Sequence, residues 1–155
     1  MPDREDLEGL VLRNENILYR AALACLGDPE EARDAVQDAF LRLLEKAPAL
    51  ESPEHERAWL LKVTINRCKD RLRFWRRHPT APLTESYPAA GPEEASAAQA
   101  VAALPPKDRL VVHLFYYQGC SVAEIAALTG ARAGTVRSRL SRARQKLRHL
   151  LEEST

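Results

Sequence analysis

The feature that most restricts the fold of this chain is a stripe of small and apolar side chains at helical spacing. The stripe follows Asp28 and Pro29, which suit the cap and the first position of a helix. Its members recur three and four positions apart and should form one buried helix face: Ala32, Ala35, Val36, Ala39, Phe40, Leu43 and Leu44. The same periodicity predicts helices through nearly all of the remaining chain, so the predicted fold class is all-α.

One proline-rich stretch interrupts this pattern. Residues 78–92 contain four prolines, many small residues and little apolar periodicity, which is typical of a flexible linker. We therefore expect two small helical domains, residues 1–77 and residues 93–155; a single helical bundle with a long loop is the alternative. The helices of the second domain are predicted over residues 93–104, 107–118, 121–128 and about 132–151.

The end of the chain has the parts of a helix-turn-helix motif. Ser121 and Glu124 have the spacing of a capping box at the start of a short apolar segment, and Gly130 marks a turn after it. A longer, basic segment follows. Two apolar sets should pack together, namely Val122, Ile125, Ala126 and Leu128 against Val136, Leu140, Ala143, Leu147 and Leu150.

Positive charge is concentrated in two blocks, although the chain has 23 Lys and Arg against 22 Asp and Glu. Residues 57–78 carry eight bases and one acid, and residues 132–148 carry seven bases and no acid. Residues 1–56 instead carry 14 acids and six bases. This segregation indicates a polyanion that the protein contacts at two places.

The second basic block fits duplex DNA. A helical projection puts Gly134, Ser138, Ser141 and Gln145 opposite the apolar stripe, with arginines on both sides. Because the middle of this face is small, a duplex can approach closely, and arginines can bond guanine edges in the major groove. A surface helix made soluble by arginine is the alternative, but such a helix would normally carry acids for ion pairing at i and i+4.

The first basic block differs because aromatic residues interrupt it. Trp59, Phe74 and Trp75 alternate with seven Lys and Arg residues. Aromatic faces beside cations suit unpaired bases, since a stacked base contributes about 1–3 kcal/mol while the cations follow the backbone. A simple core role is the competing interpretation, and for Trp59 it is the favoured one.

Several classes of function are disfavoured by what the sequence lacks. It has no run of about 20 apolar residues, so no membrane insertion is expected. Its three cysteines, Cys25, Cys68 and Cys120, are far apart and indicate buried thiols rather than a metal site or disulfides. No catalytic triad, paired-carboxylate motif or P-loop is visible, so we expect no enzyme activity and no cofactor.

Two groups of segments resemble one bacterial family. Its region two is matched by LYRAALACLGDPEEARDAVQDAFLRLLEK and RAWLLKVTINRCKDRLR, and its region four by ALPPKDRLVVHLFYYQGCSVAEIAALTGARAGTVRSRLSRARQKLRHLL. This chain therefore resembles the compact extracytoplasmic-function group of RNA polymerase sigma factors, within the sigma-70 family. The resemblance implies a cytoplasmic initiation factor that binds core RNA polymerase, directs it to promoters and assists DNA melting. An anti-sigma factor is a further implied partner.

The resemblance also implies roles for individual residues. Polymerase binding is implied for Asp34, Gln37, Asp38 and Leu41, the last being a leucine on an otherwise polar face. Contact with the minus-ten element is implied for Asn66, Arg67, Lys69, Arg71 and Arg73. Asp70 should orient its neighbours rather than contact DNA. Reading of the upstream, minus-thirty-five element is implied for Arg132, Thr135, Arg137, Ser138, Arg139 and Arg142.

The chain departs from the family pattern at three positions. Glu56 stands where an aromatic residue is common, which puts the base-capture loop before it in doubt. Ile65 replaces a residue that is usually basic, and His113 one that is usually apolar. Two other functions stay open: a stand-alone helix-turn-helix regulator, which leaves residues 28–77 unexplained, and a sigma mimic that sequesters an anti-sigma factor, which needs no basic reading helices.

Overall fold

A computed structural model of the chain describes residues 4–78 and 99–153. The chain divides into two compact units, one within residues 1–83 and the other within residues 84–155. Within the described ranges all regular structure is helical, which confirms the predicted fold class. The predicted linker lies outside these ranges except for His78, and of the predicted helix 93–104 only residues 99–102 are described as helical. None of the described helices is long and apolar enough to cross a membrane.

The first unit consists of three helices that all pack against one another. They are α1 (Arg4–Leu26), α2 (Pro29–Lys46) and α3 (Pro53–Arg77). Gly27 separates the first two and adopts φ 75°, a conformation that a residue with a side chain rarely takes. The side chains of Asp28 and Ser52 accept hydrogen bonds from the backbone N–H groups of Glu30 and His55, and the cap at Asp28 lies where the sequence predicts it.

The core of this unit follows the predicted stripe with two exceptions. The buried positions of α2 are Ala32, Ala35, Val36, Ala39 and Leu43. Phe40 is only half-buried. The prediction for Leu44 is wrong, because this residue, near the C-terminal end of α2, has 41% of its surface exposed. Trp59 is also half-buried rather than part of a closed core. A small hydrophobic interior thus leaves several large side chains at the surface.

In the second unit the helical residues 99–102 are followed by α4 (Pro106–Val112), α5 (Val122–Thr129) and α6 (Ala133–Glu153), with a π-helical turn at His113–Tyr117. The predicted continuous helix over 107–118 is therefore wrong at its end. The backbone N–H of Gln118 donates to the carbonyl of His113, five residues earlier, at 3.1 Å. This wider turn leaves Leu114 fully buried, while Tyr116 and Tyr117 are 58% and 64% exposed.

The helix-turn-helix is formed by α5 and α6. Ser121 and Glu124 make both hydrogen bonds of the capping box, and Gly130 ends α5 with φ 76°. Of the residues predicted to pack there, Ile125, Leu128, Val136, Leu140 and Ala143 are buried, whereas Val122 and Ala126 are half-buried. Leu147 and Leu150 are half-buried, since they lie on the last turns of α6.

Candidate polymerase and nucleic-acid interfaces

The outer face of α6 presents the residues predicted to read duplex DNA. Arg132, Arg137, Ser138 and Arg142 are exposed; Thr135 and Arg139 are half-buried. Within residues 4–78 and 99–153 none of these four arginines forms an ion pair with the chain. A methyl group added at Gly134 would meet no atom within 4 Å, so the middle of this face is open. The face is a row of unneutralised guanidinium groups around a small centre.

One arginine of α6 is instead held by the π-helical turn. Arg144 donates from Nε to the hydroxyl of Tyr116, and its guanidinium lies 5.7 Å and 5.6 Å from the ring centres of Phe115 and Tyr116. A guanidinium at this distance from an aromatic face is attracted to the ring quadrupole. Arg144 therefore links α6 to the helix before the motif, a contact that the sequence pattern alone did not indicate.

The basic face of α3 is partly neutralised by the protein itself. Asn66 and Arg67 are exposed and Lys69 is half-buried. Arg73 lies 2.8 Å from Asp70, three residues earlier on the same helix, with both side chains more than half exposed. This pair agrees with the expectation that Asp70 orients a neighbouring cation.

Arg71 is the most constrained cation of this face. Its Nε and one terminal nitrogen lie 2.9 and 2.8 Å from the two carboxylate oxygens of Glu31 on α2. Its guanidinium also lies 5.4 Å and 5.5 Å from the rings of Phe74 and Trp75. Such a bidentate ion pair holds the guanidinium in one orientation and also neutralises its charge. Arg71 therefore joins α3 to α2, which limits its reach toward a nucleic acid.

The acidic face of α2 carries the four residues predicted to bind polymerase. Asp34 and Gln37 are exposed, and Leu41 is a large apolar side chain with 53% of its surface exposed. Asp38 is half-buried because its Oδ2 lies 2.6 Å from Nε of Arg67 on α3. A groove of about 910 Å³ runs between this face and α1, lined by Val11, Glu15, Asn16, Tyr19, Arg33, Asp34, Val36, Gln37 and Phe40.

Two family descriptions match the chain. Residues 10–78 match region 2 of sigma-70, and residues 95–147 match region 4 of sigma-70. The ECF RNA polymerase sigma factor SigM of Mycobacterium tuberculosis is 38% identical over 154 residues, which covers 96% of this chain and 79% of the relative. This chain belongs to the sigma-70 family. The factor SigL of the same species is 34% identical, covering 88% of the chain and 84% of the relative.

Two solved structures share this fold. The sigma factor RpoE of Bartonella quintana, in complex with the anti-sigma factor NepR, is 25% identical with a TM-score of 0.75, and the match covers 96% of this chain and 98% of RpoE. CnrH, in complex with the cytosolic domain of CnrY, is 28% identical with a TM-score of 0.70, covering 99% and 92%. The chain is thus a sigma factor of the extracytoplasmic-function group, whose members are transcription initiation factors.

Glu56, where this sigma factor departs from the family pattern, is buried inside the first unit. Its Oε1 accepts from Arg13 at 3.1 Å and its Oε2 from the Asn14 side chain at 3.0 Å, both on α1. Asn14 is 1% exposed and also donates to the carbonyl of Leu10. Asn14 was missed by the sequence analysis because a polar residue on a buried stripe gives no periodic signal. Glu56 therefore acts as a link between α3 and α1.

The same carboxylate lines a pocket of about 450 Å³ beside the loop between α2 and α3. Apolar residues from three places in the chain form most of its wall: Leu7, Leu10, Leu43, Leu44, Ala47, Pro48 and Leu50. Arg13 and Asp6 add charged groups. The loop before Glu56, whose role in base capture the sequence puts in doubt, thus borders this cavity. Glu56 and Arg13, two of the charged groups in the cavity wall, are already hydrogen-bonded to each other.

Two thiols and one carboxylate of the described chain have shifted pKa values. Cys25 and Cys68 are buried, and the hydrogen bond of the Cys68 thiol with Cys25, together with burial, raises the pKa of that thiol far above its usual range. Burial also raises the pKa of Cys120. The Ser121 backbone N–H and hydroxyl lower the pKa of Glu124. No group of His, Cys, Asp and Glu within the described ranges is placed to hold a metal ion.

Proposed function

We propose that this sigma factor recognises a promoter at two places with two different surfaces. Residues 1–77 would bind core RNA polymerase and the minus-ten element, and residues 93–155 would bind the minus-thirty-five element. The observation that carries this proposal is the exposed row of arginines on α6, which have no carboxylate partner in the described chain. Such a row needs an external polyanion, and the helix-turn-helix presents it to duplex DNA.

The α6 surface supports two kinds of contact with the duplex, one near the start of the helix and one further along it. Arg132, Thr135 and Arg137 lie near the start of the helix, where a recognition helix contacts base edges. Arg139 and Arg142 lie further along and suit phosphate contacts, which supply affinity and register. Ser138 and the open position at Gly134 allow the duplex to approach the helix backbone.

The α3 surface supports capture of the melted strand. Asn66, Arg67, Lys69 and Arg73 are accessible beside aromatic side chains, of which Phe74 is 45% exposed. Stacking of unpaired bases on aromatic faces offsets the few kcal/mol that each unstacked base costs. Arg71 would contribute mainly by holding Phe74 and Trp75 in place, given its two bonds to Glu31.

The α2 surface supports docking on the polymerase. It combines acids with an exposed leucine, and its groove beside α1 offers an apolar floor through Val36 and Phe40. A polar face with one large exposed apolar residue is typical of a small interaction site. Because the structural relative RpoE is held in a complex with the anti-sigma factor NepR, an anti-sigma partner is also proposed. Action on promoters implies a cytoplasmic location.

Run-off transcription with purified core RNA polymerase and a genomic fragment library tests this function. The full chain should yield transcripts that share two upstream elements, and none should form without it. The alternative of a stand-alone helix-turn-helix regulator predicts tight, specific duplex binding without polymerase. Specific duplex binding by the chain alone, combined with no transcript from the reconstituted enzyme, would contradict the proposed function.

A further inference from the structure

A tyrosine and an arginine form an exposed pair beside the recognition face of α6. Nε of Arg144 donates a hydrogen bond to the hydroxyl of Tyr116, on the π-helical turn. The same guanidinium lies 5.7 Å and 5.6 Å from the ring centres of Phe115 and Tyr116. Both members of the pair are exposed, Tyr116 with 58% of its surface. These contacts therefore hold two side chains in place although neither is buried.

The pair keeps most of its hydrogen-bond donors for an external group. The Tyr116 oxygen accepts from Arg144 and still has its own O–H to donate, and Arg144 uses one of its five N–H groups. Neither residue has another hydrogen bond or an ion pair within residues 4–78 and 99–153. Because a guanidinium that donates to a phenol polarises it, the Tyr116 O–H becomes a stronger donor.

The surroundings of the pair favour a negatively charged ligand. Arg137 lies seven residues before Arg144 on α6, and Arg148 lies four residues after it, so the three guanidinium groups share one edge of the helix. Arg137 and Arg148 are exposed as well. Residues 132–151 contain no acid that could neutralise this edge. Charged oxygen acceptors are the groups that such an edge binds most strongly.

We propose that Tyr116 and Arg144 together hold one phosphate of the duplex that α6 reads. This inference rests on the proposed function, because it adds a contact from outside the helix-turn-helix to the same DNA. Tyrosine hydroxyls and arginines are both groups that proteins direct at phosphate oxygens. The phenol O–H donates to one oxygen of the phosphate and a terminal N–H of Arg144 to another, while Nε keeps Arg144 on the π-helical turn.

A phosphate of the duplex is favoured over an acidic segment of a protein partner because this edge continues the proposed DNA surface. Arg137 belongs to that surface and lies about 10 Å from Arg144 along the helix axis. Between them only Ser141, an exposed small residue, lies near this edge, so no bulky side chain separates the two arginines. The contact fixes the position of one strand beside α6 and carries no base preference.

Two substitutions in the full chain test the site, each with a matched control. Tyr116→Phe removes the hydroxyl and keeps the ring that Arg144 contacts, and Tyr117→Phe makes the same change one residue later. Arg144→Gln removes a charge from the site, and Lys107→Gln removes one from an exposed residue at the start of α4. The probe is a fluorescein-labelled duplex of mixed sequence and about 30 base pairs, because phosphate contacts do not depend on base sequence. Anisotropy measures its dissociation constant at about 50 and about 200 mM salt, where phosphate contacts differ in strength.

The two substitutions should differ in their response to salt. Arg144→Gln should lower the slope of log affinity against log salt by about 0.9, the value for one phosphate contact, so its loss of affinity should grow about three- to four-fold between about 200 and about 50 mM. Tyr116→Phe should bind about two- to ten-fold more weakly at both concentrations, because it removes one hydrogen bond and no charge. Each control should change the affinity less than about two-fold at about 200 mM, where distant charges are screened.

Three results would overturn the phosphate site. They are an unchanged salt slope for Arg144→Gln, equal effects of Tyr116→Phe and Tyr117→Phe, and a loss of core polymerase pull-down by Tyr116→Phe with unchanged duplex affinity. The last result would assign the pair to a protein partner instead. Circular dichroism verifies that each variant keeps the helical content of the wild type. If Arg144→Gln does not, the comparison of the two tyrosine variants decides alone.

The combined Arg137→Ala and Arg142→Ala variant separates this site from the proposed function. If that variant binds the duplex more weakly while Tyr116→Phe and Arg144→Gln bind it as the wild type does, only the phosphate site is contradicted. If the wild type does not bind the duplex at about 50 mM salt, where phosphate contacts are strong, or if none of the variants binds it more weakly, the proposed role of α6 is contradicted as well.

Discussion

Replacing Glu56 by alanine should destabilise the first unit far more than its position near a helix start would suggest. The Glu56 residue is 8% exposed, and its carboxylate joins α3 to α1 through Arg13 and Asn14. Alanine removes the acceptor for a buried Asn14 amide group whose Oδ1 is already without a partner in the described chain. The substitution thus leaves a buried polar side chain with only the Leu10 carbonyl to bond.

The magnitude follows from the two lost contacts. A buried hydrogen bond to a charged group is worth about 1.5–3 kcal/mol. The contact with Arg13 adds at most about 1 kcal/mol, because 53% of the Arg13 side chain is exposed. The expected loss is therefore about 2–4 kcal/mol. For a unit of this size each kcal/mol lowers Tm by about 4–8 °C, so the midpoint should fall by more than about 8 °C.

Tryptophan fluorescence measures this loss in the intact chain, because both tryptophans, Trp59 and Trp75, belong to α3. Their emission reports unfolding of the first unit only. Glu54→Ala is the control, since Glu54 is an exposed acid of the same first turn and shares only the interaction with the helix dipole. If Glu56→Ala lowers the unfolding midpoint no more than Glu54→Ala does, the proposed link between α3 and α1 is refuted.

Four further predictions concern the other surfaces and the capping box of α5. Arg137→Ala combined with Arg142→Ala should abolish recognition of the upstream element, because it removes a base contact worth about 1–3 kcal/mol and a phosphate contact, while pull-down of core polymerase is unchanged. Loss of that pull-down would contradict the assigned roles. Leu41→Ser should reduce polymerase pull-down several-fold with an unchanged unfolding midpoint, and undiminished pull-down would exclude Leu41 from the interface. Ser121→Ala should cost the second unit about 1 kcal/mol in chemical denaturation. The pKa of Glu124 is lowered in the folded state, so its carboxylate contributes to the free energy of unfolding above the unfolded pKa. That contribution is lost as pH falls through the folded pKa. The stability of Glu124→Gln should therefore differ from that of the wild type at neutral pH and converge with it in acid.

The helix boundaries were predictable because their signals are local. Asp28 with Pro29, and Ser121 with Glu124, mark helix starts through hydrogen bonds that span only a few residues, and the structure shows both. The apolar stripe of α2 was predictable for the same reason, except at its last turn. There, burial depends on what lies beside Leu44 rather than on spacing.

The contacts between helices were not predictable from one sequence. Asp38 and Arg67 are 29 residues apart, and Glu56 and Asn14 are 42 apart, so their pairing depends on the packing register of whole helices. The π-helical turn is a similar case. Its sequence, HLFYY, continues the apolar pattern of α4, and the change in hydrogen bonding accompanies packing of two aromatic rings around Arg144.

The two cationic surfaces consequently differ in how they should respond to salt. The α6 arginines have no internal partner in the described chain, so each phosphate contact there releases a counterion from DNA and adds to the salt dependence of binding. On α3, three arginines already lie against Asp38, Glu31 and Asp70, and a phosphate that binds one of them must replace a carboxylate of the protein itself. Breaking the internal ion pair weakens DNA binding at every salt concentration. The carboxylate that the phosphate displaces then takes up cations from solution. The two basic blocks of the sequence therefore form two different kinds of cationic surface. If both bind nucleic acid as proposed, the α6 arginines are available to duplex DNA at once, whereas the α3 arginines first have to leave acidic partners within their own unit.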